Sequence, residues 1–140
     1  MRFHYAFALV LLSCSTLAIS SHAHAQTEPV ISQQLSQRAQ DVLRLLQGEE
    51  IEAEVFDENF RNAVPPVQFR ALTRQVAAQQ GQPLEIILIN PRNANSAILE
   101  IRYEKSIGTV NMDLENDQPY RISGLQLTGF EAAGNSIADV

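Results

Sequence analysis

The chain has 140 residues, of which 10 are basic and 16 are acidic, and its formal net charge at pH 7 is −6. This acidic balance argues against nucleic acid or an anionic membrane as a partner, because both would repel the protein. The sequence contains no glycine-rich phosphate loop and no internal repeat, so it indicates neither a nucleotide-binding motif nor a repeat architecture.

The first 25 residues have the pattern of an export signal. Arg2 supplies a positive charge, the apolar run "YAFALVLLSCSTLAIS" follows, and the small-x-small sequence Ala23-His24-Ala25 comes next. The run is too short and too weakly flanked for a transmembrane helix, whereas a signal peptidase cleaves after such a site. We therefore expect cleavage after Ala25 and a periplasmic or secreted product. The alternative is a lipoprotein, because "LLSC" loosely resembles a lipoprotein box and would leave Cys14 as an acylated first residue.

Cleavage after residue 25 would remove every histidine and the single cysteine of the chain, which are His4, Cys14, His22 and His24. The mature chain would then have no residues for a histidine triad, a cysteine nucleophile, a disulfide or a zinc site of the usual type. We expect no catalytic residue, no metal and no cofactor. What remains, roughly 115 residues, is the size of one compact domain.

A short leader, residues 26–32, precedes the first predicted helix. Ser32 is placed to cap the helix "QQLSQRAQDVLRLLQG", and Gly48 is placed to end it. The apolar residues of this segment recur at helical spacing and predict one buried face, formed by Leu35, Ala39, Val42, Leu43 and Leu46.

Three more helices are predicted before the strands begin. "EEIEAEVF" is predicted as a short helix with Val55 inward, and Asp57 is placed to cap a third helix, "ENFRNA". Pro65 and Pro66 end that helix and open the next, "VQFRALTRQVAAQQ", which Gly81 closes. The predicted inward stripe of this fourth helix is Phe69, Leu72, Thr73, Val76 and Ala77.

After residue 81 the hydrophobic period changes from helical to two, which predicts strands at residues 84–90, 96–105, 108–115 and 120–127. A run of helices followed by a run of strands indicates one α+β domain over residues 33–130, with the helices packed on a four-stranded antiparallel β-meander. A bulge at Gly124 would return Leu125 and Leu127 to the core side. The predicted inner face of the first three strands is Leu84, Ile86, Leu88, Leu99, Ile101, Tyr103, Val110, Met112 and Leu114.

The first two strands present an unusual outer face. In the register that keeps the inner faces together, Ile87, Ile89 and Ile98 point outward, with Ile89 opposite Ile98. We interpret these isoleucines as a patch through which the domain forms a weak homodimer or binds a protein partner. Alternatively, the leader or the tail, residues 131–140, covers them. The cross-strand pairs of this register are Leu88 with Leu99, Ile86 with Ile101, and Glu85 with Arg102.

Three features of the mature chain are shared with a known family: Phe56 and Phe60 around "FDENF", the proline-started helix that ends at Gly81, and the closing "SGLQL". In these features, and over roughly residues 33–130, the chain resembles the small α+β domains of the nuclear transport factor 2-like, cystatin-like superfamily. The chain is similar to the secreted bacterial domains of unknown function that precede class A β-lactamase-like serine hydrolase domains, as in proteins of the clavulanate gene cluster. The resemblance implies helices over a curved sheet that encloses a cone-shaped pocket.

The hydrolase half of such proteins has no counterpart in this chain. Its activity needs a Ser-x-x-Lys motif, whereas the one lysine here, Lys105, follows Arg102 at that spacing. The chain therefore resembles the accessory domain standing alone.

Three functional interpretations follow. The first is a non-catalytic accessory module that contacts a small apolar ligand or a protein partner, with no nucleic acid and no membrane involved. The second is a small isomerase or lyase with a carboxylate base and a tyrosine in the pocket. The third is a structural subunit that homo-oligomerises. A carboxylate near the tyrosine would favour the enzyme, and a cone filled by aromatic rings would argue against it. The predicted pocket residues are Phe60, Phe69, Tyr103 and Met112.

Overall fold

The computed structural model describes residues 29–134, which form an α+β domain with helices first and strands second. The helices are α1 (Gln33–Leu46), α2 (Glu52–Val55), α3 (Glu58–Ala63) and α4 (Pro66–Gln80). The strands are β1 (Pro83–Asn93), β2 (Ser96–Tyr103), β3 (Ser106–Leu114) and β4 (Ile122–Ala132). They form one open antiparallel sheet in the order β1-β2-β3-β4, as predicted. The expected signal peptide and the expected lipoprotein cysteine lie outside the described residues.

Helix α1 begins at the predicted cap and packs mainly against β1 and β2. The Leu35 amide donates to the Ser32 hydroxyl at 3.3 Å, which confirms the N-cap. The fully buried apolar residues of α1 are Leu35, Ala39, Val42 and Leu45, whereas the predicted Leu43 and Leu46 are only partly buried. The spacing identified the correct side of the helix but missed Leu45, which is buried more completely than Leu43 and Leu46.

Three phenylalanine rings join the short helices to α4. Phe56 is fully buried, and its ring centroid lies 4.6 Å from that of Phe60 and 5.1 Å from that of Phe69. The Phe60 amide donates to Asp57 Oδ1 at 2.7 Å, which confirms that Asp57 caps α3. The Asp57 amide in turn donates to the Ile122 carbonyl at 2.9 Å. This hydrogen bond ties the aromatic cluster to the start of β4.

Helix α4 begins at Pro66 and ends before Gly81, whose φ of 83° lies in the left-handed region that favours glycine. Both boundaries confirm the prediction. Only Phe69 and Thr73 are buried on this helix, and Leu72, predicted to point inward, is 50% exposed. The periodicity therefore located the inner face of α4 but overestimated how tightly the sheet covers it.

An ion pair fastens α4 to α2. Arg70 Nε donates to Glu52 Oε1 at 2.7 Å, and its Nη1 donates to the exposed Glu50 at 2.9 Å. Burial alone would raise the pKa of Glu52, but the hydrogen bonds and the charge of Arg70, with a backbone hydrogen bond, outweigh it and hold that pKa below its ordinary value. Glu52 is therefore a buried, ionised anchor for the first half of α4.

The register of β1 on β2 agrees with the prediction only at its start. Glu85 lies opposite Arg102, and their side chains form an ion pair at 2.9 Å. Beyond Ile86 the register shifts, so that Leu88 lies opposite Glu100 and Ile89 lies opposite Leu99. The prediction of Leu88 opposite Leu99 is wrong, because an irregularity at this point exchanges the two faces of the strand. As a result Leu88 is 43% exposed, and Ile89 packs against the core. Leu84, which was also predicted to face inward, is 51% exposed and lies at an earlier register shift, between Pro83 and Glu85.

The remaining strands follow the predicted alternation. The predicted inner residues of β2 and β3 are all buried: Leu99, Ile101, Tyr103, Val110, Met112 and Leu114. The register of β4 shifts between Ile122 and Gly124, which confirms an irregularity at the predicted place. Leu125 and Leu127 consequently lie opposite Met112 and Val110, on the helix-covered side. The strand continues to Ala132, five residues beyond its predicted end.

Candidate functional site

A cavity of about 270 Å³ lies between the helices and the sheet. Its walls come from three helices and contain almost only apolar side chains: Val42, Leu46, Phe60, Val64, Phe69, Leu72, Thr73 and Val76. Its floor is the sheet, represented by Tyr103, Val110, Leu125 and Leu127. Pockets of this kind, largely apolar with few polar groups, are typical small-molecule sites.

The two most exposed residues of the cavity lining lie on α4 and on the edge strand β4. Leu72 on α4 is 50% exposed and Leu127 on β4 is 40% exposed, although both line the cavity. β4 is the last strand of the sheet, with no further strand on its outer side in the described part of the chain. The cavity is therefore open to solvent at α4 and β4.

The Tyr103 ring forms part of the floor because Gly108 leaves room for it. A Cβ atom at Gly108, on β3, would lie 3.1 Å from Tyr103 Cε2 and 3.0 Å from Phe130 Cε1. The Tyr103 and Phe130 rings also meet edge to face, with centroids 5.5 Å apart and planes at 81°. The tyrosine ring therefore extends from β2 across β3 toward β4, under the cavity.

The Tyr103 hydroxyl is buried without a hydrogen-bond partner among residues 29–134. The whole residue is only 2% exposed, and burial raises the pKa of Tyr103 to about 12. A buried hydroxyl without a partner is uncommon, because it has lost its hydrogen bonds to water. Tyr103 is consequently neutral at physiological pH and has an unused capacity to donate or accept a hydrogen bond.

The other polar side chain of the cavity is already engaged. The Thr73 hydroxyl donates to the Arg70 carbonyl at 3.0 Å, within its own helix. Apart from Tyr103, none of the described lining residues is ionisable. The buried carboxylates of the described residues are Asp41, Glu52 and Asp57. Asp41 binds Arg38 and Arg44, Glu52 binds Arg70, and Asp57 caps α3. None of them lines the cavity.

Three of the four predicted pocket residues lie together. Phe60, Phe69 and Tyr103 all line the cavity, although Phe60 and Phe69 are 34 positions or more from Tyr103 in the chain. Met112 is not among the lining residues, and it is fully buried. The alternation of residues along β3 predicted the correct face of the sheet for Met112. Alternation does not indicate which positions along that face are packed and which border a cavity.

The predicted isoleucine patch is not formed. Ile89 faces the core opposite Leu99, and Ile98 lies between Asn90 on β1 and Asn111 on β3. Ile87 occupies the position of the register shift, half-buried. The three side chains therefore do not share one outer surface.

Sequence reasoning missed the contribution of α1 to the cavity. Val42 and Leu46 have the spacing of ordinary core residues, and nothing in that pattern shows that they border an empty space. The sequence also gives no sign that Val64 lines the cavity, because this residue follows the last turn of α3 and precedes the prolines. Their contribution to the cavity follows from the positions of α3 and α4 over the sheet, which the sequence pattern does not give.

Comparison with protein-family models, curated proteins and solved structures gave no match to this chain. In residues 29–134 there is no group of three or more histidine, cysteine, aspartate or glutamate side chains that could hold a metal ion. Nor do these residues include a helix with the length and apolar character needed to cross a membrane.

Proposed function

We propose that the chain is an exported, non-catalytic binding module whose cavity takes a small apolar ligand, on a fold of the nuclear transport factor 2-like or cystatin-like kind. The observation that carries the proposal is the cavity itself: about 270 Å³, open at one side, and lined by apolar side chains. An apolar ligand that enters such a space loses its contact with water and gains close contacts with the walls.

The size of the cavity sets the size of the ligand. A cavity of about 150 Å³ with apolar walls takes benzene, which has six non-hydrogen atoms. By proportion, the 270 Å³ found here suits a ligand of roughly ten non-hydrogen atoms, the size of naphthalene.

Two observations favour a small ligand over an enzyme and over a protein or homodimer interface. An isomerase or lyase needs a base in contact with its substrate, and no carboxylate is among the described residues that line the cavity. A weak homodimer or a protein partner was expected at the isoleucine patch, and those side chains do not lie together. The cavity is thus the feature for which a ligand is the simplest explanation.

The test is equilibrium dialysis of the purified protein against naphthalene, with two matched variants of α4. Val76 lines the cavity, whereas Val67 lies on the same helix, 74% exposed and away from it. Val76→Phe fills the space and should weaken naphthalene binding by at least about tenfold, by removing the volume that the ligand needs. Val67→Phe should bind as the unmodified protein does.

Circular dichroism of both variants checks that the fold persists. If the unmodified protein does not take up naphthalene, or if Val76→Phe binds it unchanged, the cavity is not a ligand site and the proposal is wrong.

A further inference from the structure

The Tyr103 hydroxyl distinguishes this cavity from a merely apolar one. Three buried polar side-chain atoms of the described residues lack a hydrogen-bond partner: Arg61 Nε, Tyr103 Oη and Ser106 Oγ. Of these residues, only Tyr103 lines the cavity. A ligand in the cavity can therefore supply the hydrogen-bond partner that the Tyr103 hydroxyl lacks.

Tyr103 lies in the floor of the cavity. Its ring lies beside Gly108 of β3 and meets Phe130 of β4, and the residue is among those that line the cavity. The hydroxyl itself is buried and has no partner among the described residues. We therefore expect the ring to adjust when a molecule is bound, because contact with that molecule gives the hydroxyl the hydrogen bond it lacks.

The lining of the cavity is unfavourable to charged ligands. The lining contains no arginine, lysine or histidine to pair with an anion and no carboxylate to pair with a cation, as far as the described residues extend. A charge that leaves water for an apolar space without a partner is strongly disfavoured. The acidic balance of the whole chain opposes anions further.

We propose that the cavity selects uncharged, largely apolar molecules that carry one hydrogen-bonding oxygen, such as a phenol, an alcohol or a ketone, and that Tyr103 is the residue that binds this oxygen. This inference rests on the proposed function and narrows it to a chemical class of ligand. Thr73 does not contribute a second polar contact, because its hydroxyl is bound to the Arg70 carbonyl. One oxygen on the ligand therefore meets one free hydroxyl on the protein.

Three ligands with the same ring system test the inference: naphthalene, 2-naphthol and 2-naphthoate. Dialysis against each is carried out with the unmodified protein, with Tyr103→Phe, and with Tyr120→Phe as the matched control. Tyr120 is a partly buried tyrosine that does not line the cavity. The measured quantity is the ratio of the 2-naphthol affinity to the naphthalene affinity in each protein, since this ratio cancels any change in the apolar fit.

The ratio should fall by between about twofold and about tenfold in Tyr103→Phe, the range for one neutral hydrogen bond, and should stay unchanged in Tyr120→Phe. The unmodified protein should bind 2-naphthoate at least about tenfold more weakly than 2-naphthol, because the carboxylate has no partner in the site.

The possible failures are distinguishable. Absence of naphthalene binding by the unmodified protein overturns the proposed function, and this inference with it. Naphthalene binding with the same ratio in Tyr103→Phe overturns the role of Tyr103 alone. Binding of 2-naphthoate as tight as that of 2-naphthol overturns the preference for uncharged ligands. Retained naphthalene binding by Tyr103→Phe shows that this variant is folded.

Discussion

Helices α1 and α4 have nearly the same length, 14 and 15 residues, yet they cover the sheet in different ways. Helix α1 lies close against β1 and β2 and buries Leu35, Ala39, Val42 and Leu45; Val42 and Leu46 are its residues that border the cavity. Helix α4 buries only Phe69 and Thr73, and the cavity lies beneath it. The same domain is thus filled on one side and hollow on the other, which separates the part that supplies stability from the part available for binding.

The cause of this difference lies in the side chains of α4 and in how the helix is held. Phe69 reaches the aromatic cluster, but Thr73 and Val76, one and two turns later, are too short to fill the space above the sheet. Arg70 holds the first half of the helix through Glu52. At the other end, the Lys105 amide donates to the Gln80 carbonyl at 3.0 Å. Helix α4 is therefore supported near its ends and spans a gap between them.

The largest effect is expected on the filled side. Leu45→Ala truncates a fully buried side chain of α1. The free energy of unfolding should fall by about 2–5 kcal/mol, the range for leucine-to-alanine changes in well-packed cores. Denaturant unfolding measures it, with the partly buried Leu43 changed to alanine as the control. A loss from Leu45→Ala no greater than that from the control would show that α1 is not closely packed.

A smaller effect is expected at the anchor of α4. Glu52→Gln keeps the shape of the side chain but removes the charge that Arg70 binds, and should lower the free energy of unfolding by about 1–3 kcal/mol, the range for hydrogen bonds to charged groups. Because the folded-state pKa of Glu52 is lowered, its contribution is present above the ordinary value of 4.5 and is lost as the pH falls through the folded-state pKa.

Unfolding measured from neutral to acidic pH should therefore show a smaller acid-side loss of stability in Glu52→Gln than in the unmodified protein. Glu50→Gln is the matched control, because Glu50 binds the same Arg70 from an exposed position. Equal effects of the two substitutions at every pH would mean that burial of Glu52 is irrelevant to how α4 is held.

The features that the sequence alone predicted correctly depend on interactions between residues close together in the chain. Local signals act within a few residues, so the caps at Ser32 and Asp57 and the helix start at Pro66 are confirmed at their predicted places. The strands β2 and β3 alternate cleanly between apolar and polar residues, and their inner faces are also confirmed.

The errors arose where the local pattern was compatible with two answers. "LEIILIN" is apolar at both parities beyond Glu85, so either Leu88 or Ile89 satisfied the pattern, and the register shift decided between them. For the cavity, helical spacing indicates the side on which Leu72 or Val76 lies, but not the distance from that side to the sheet. That distance depends on how α3 and the prolines direct α4, which is a property of the assembled domain.

The smallest effect on stability is expected at α4, above the cavity. This prediction is the most direct test of the difference in packing between α1 and α4. Leu72→Ala makes the same chemical change as Leu45→Ala, on a helix of similar length, but at the rim of the cavity where the side chain is 50% exposed. Because this leucine already contacts water, its truncation should change the free energy of unfolding by less than about 1 kcal/mol. The same denaturant series, run beside Leu45→Ala, measures the difference directly. A loss of stability as large as that of Leu45→Ala would mean that α4 closes onto the sheet in solution, leaving no cavity for a ligand to occupy.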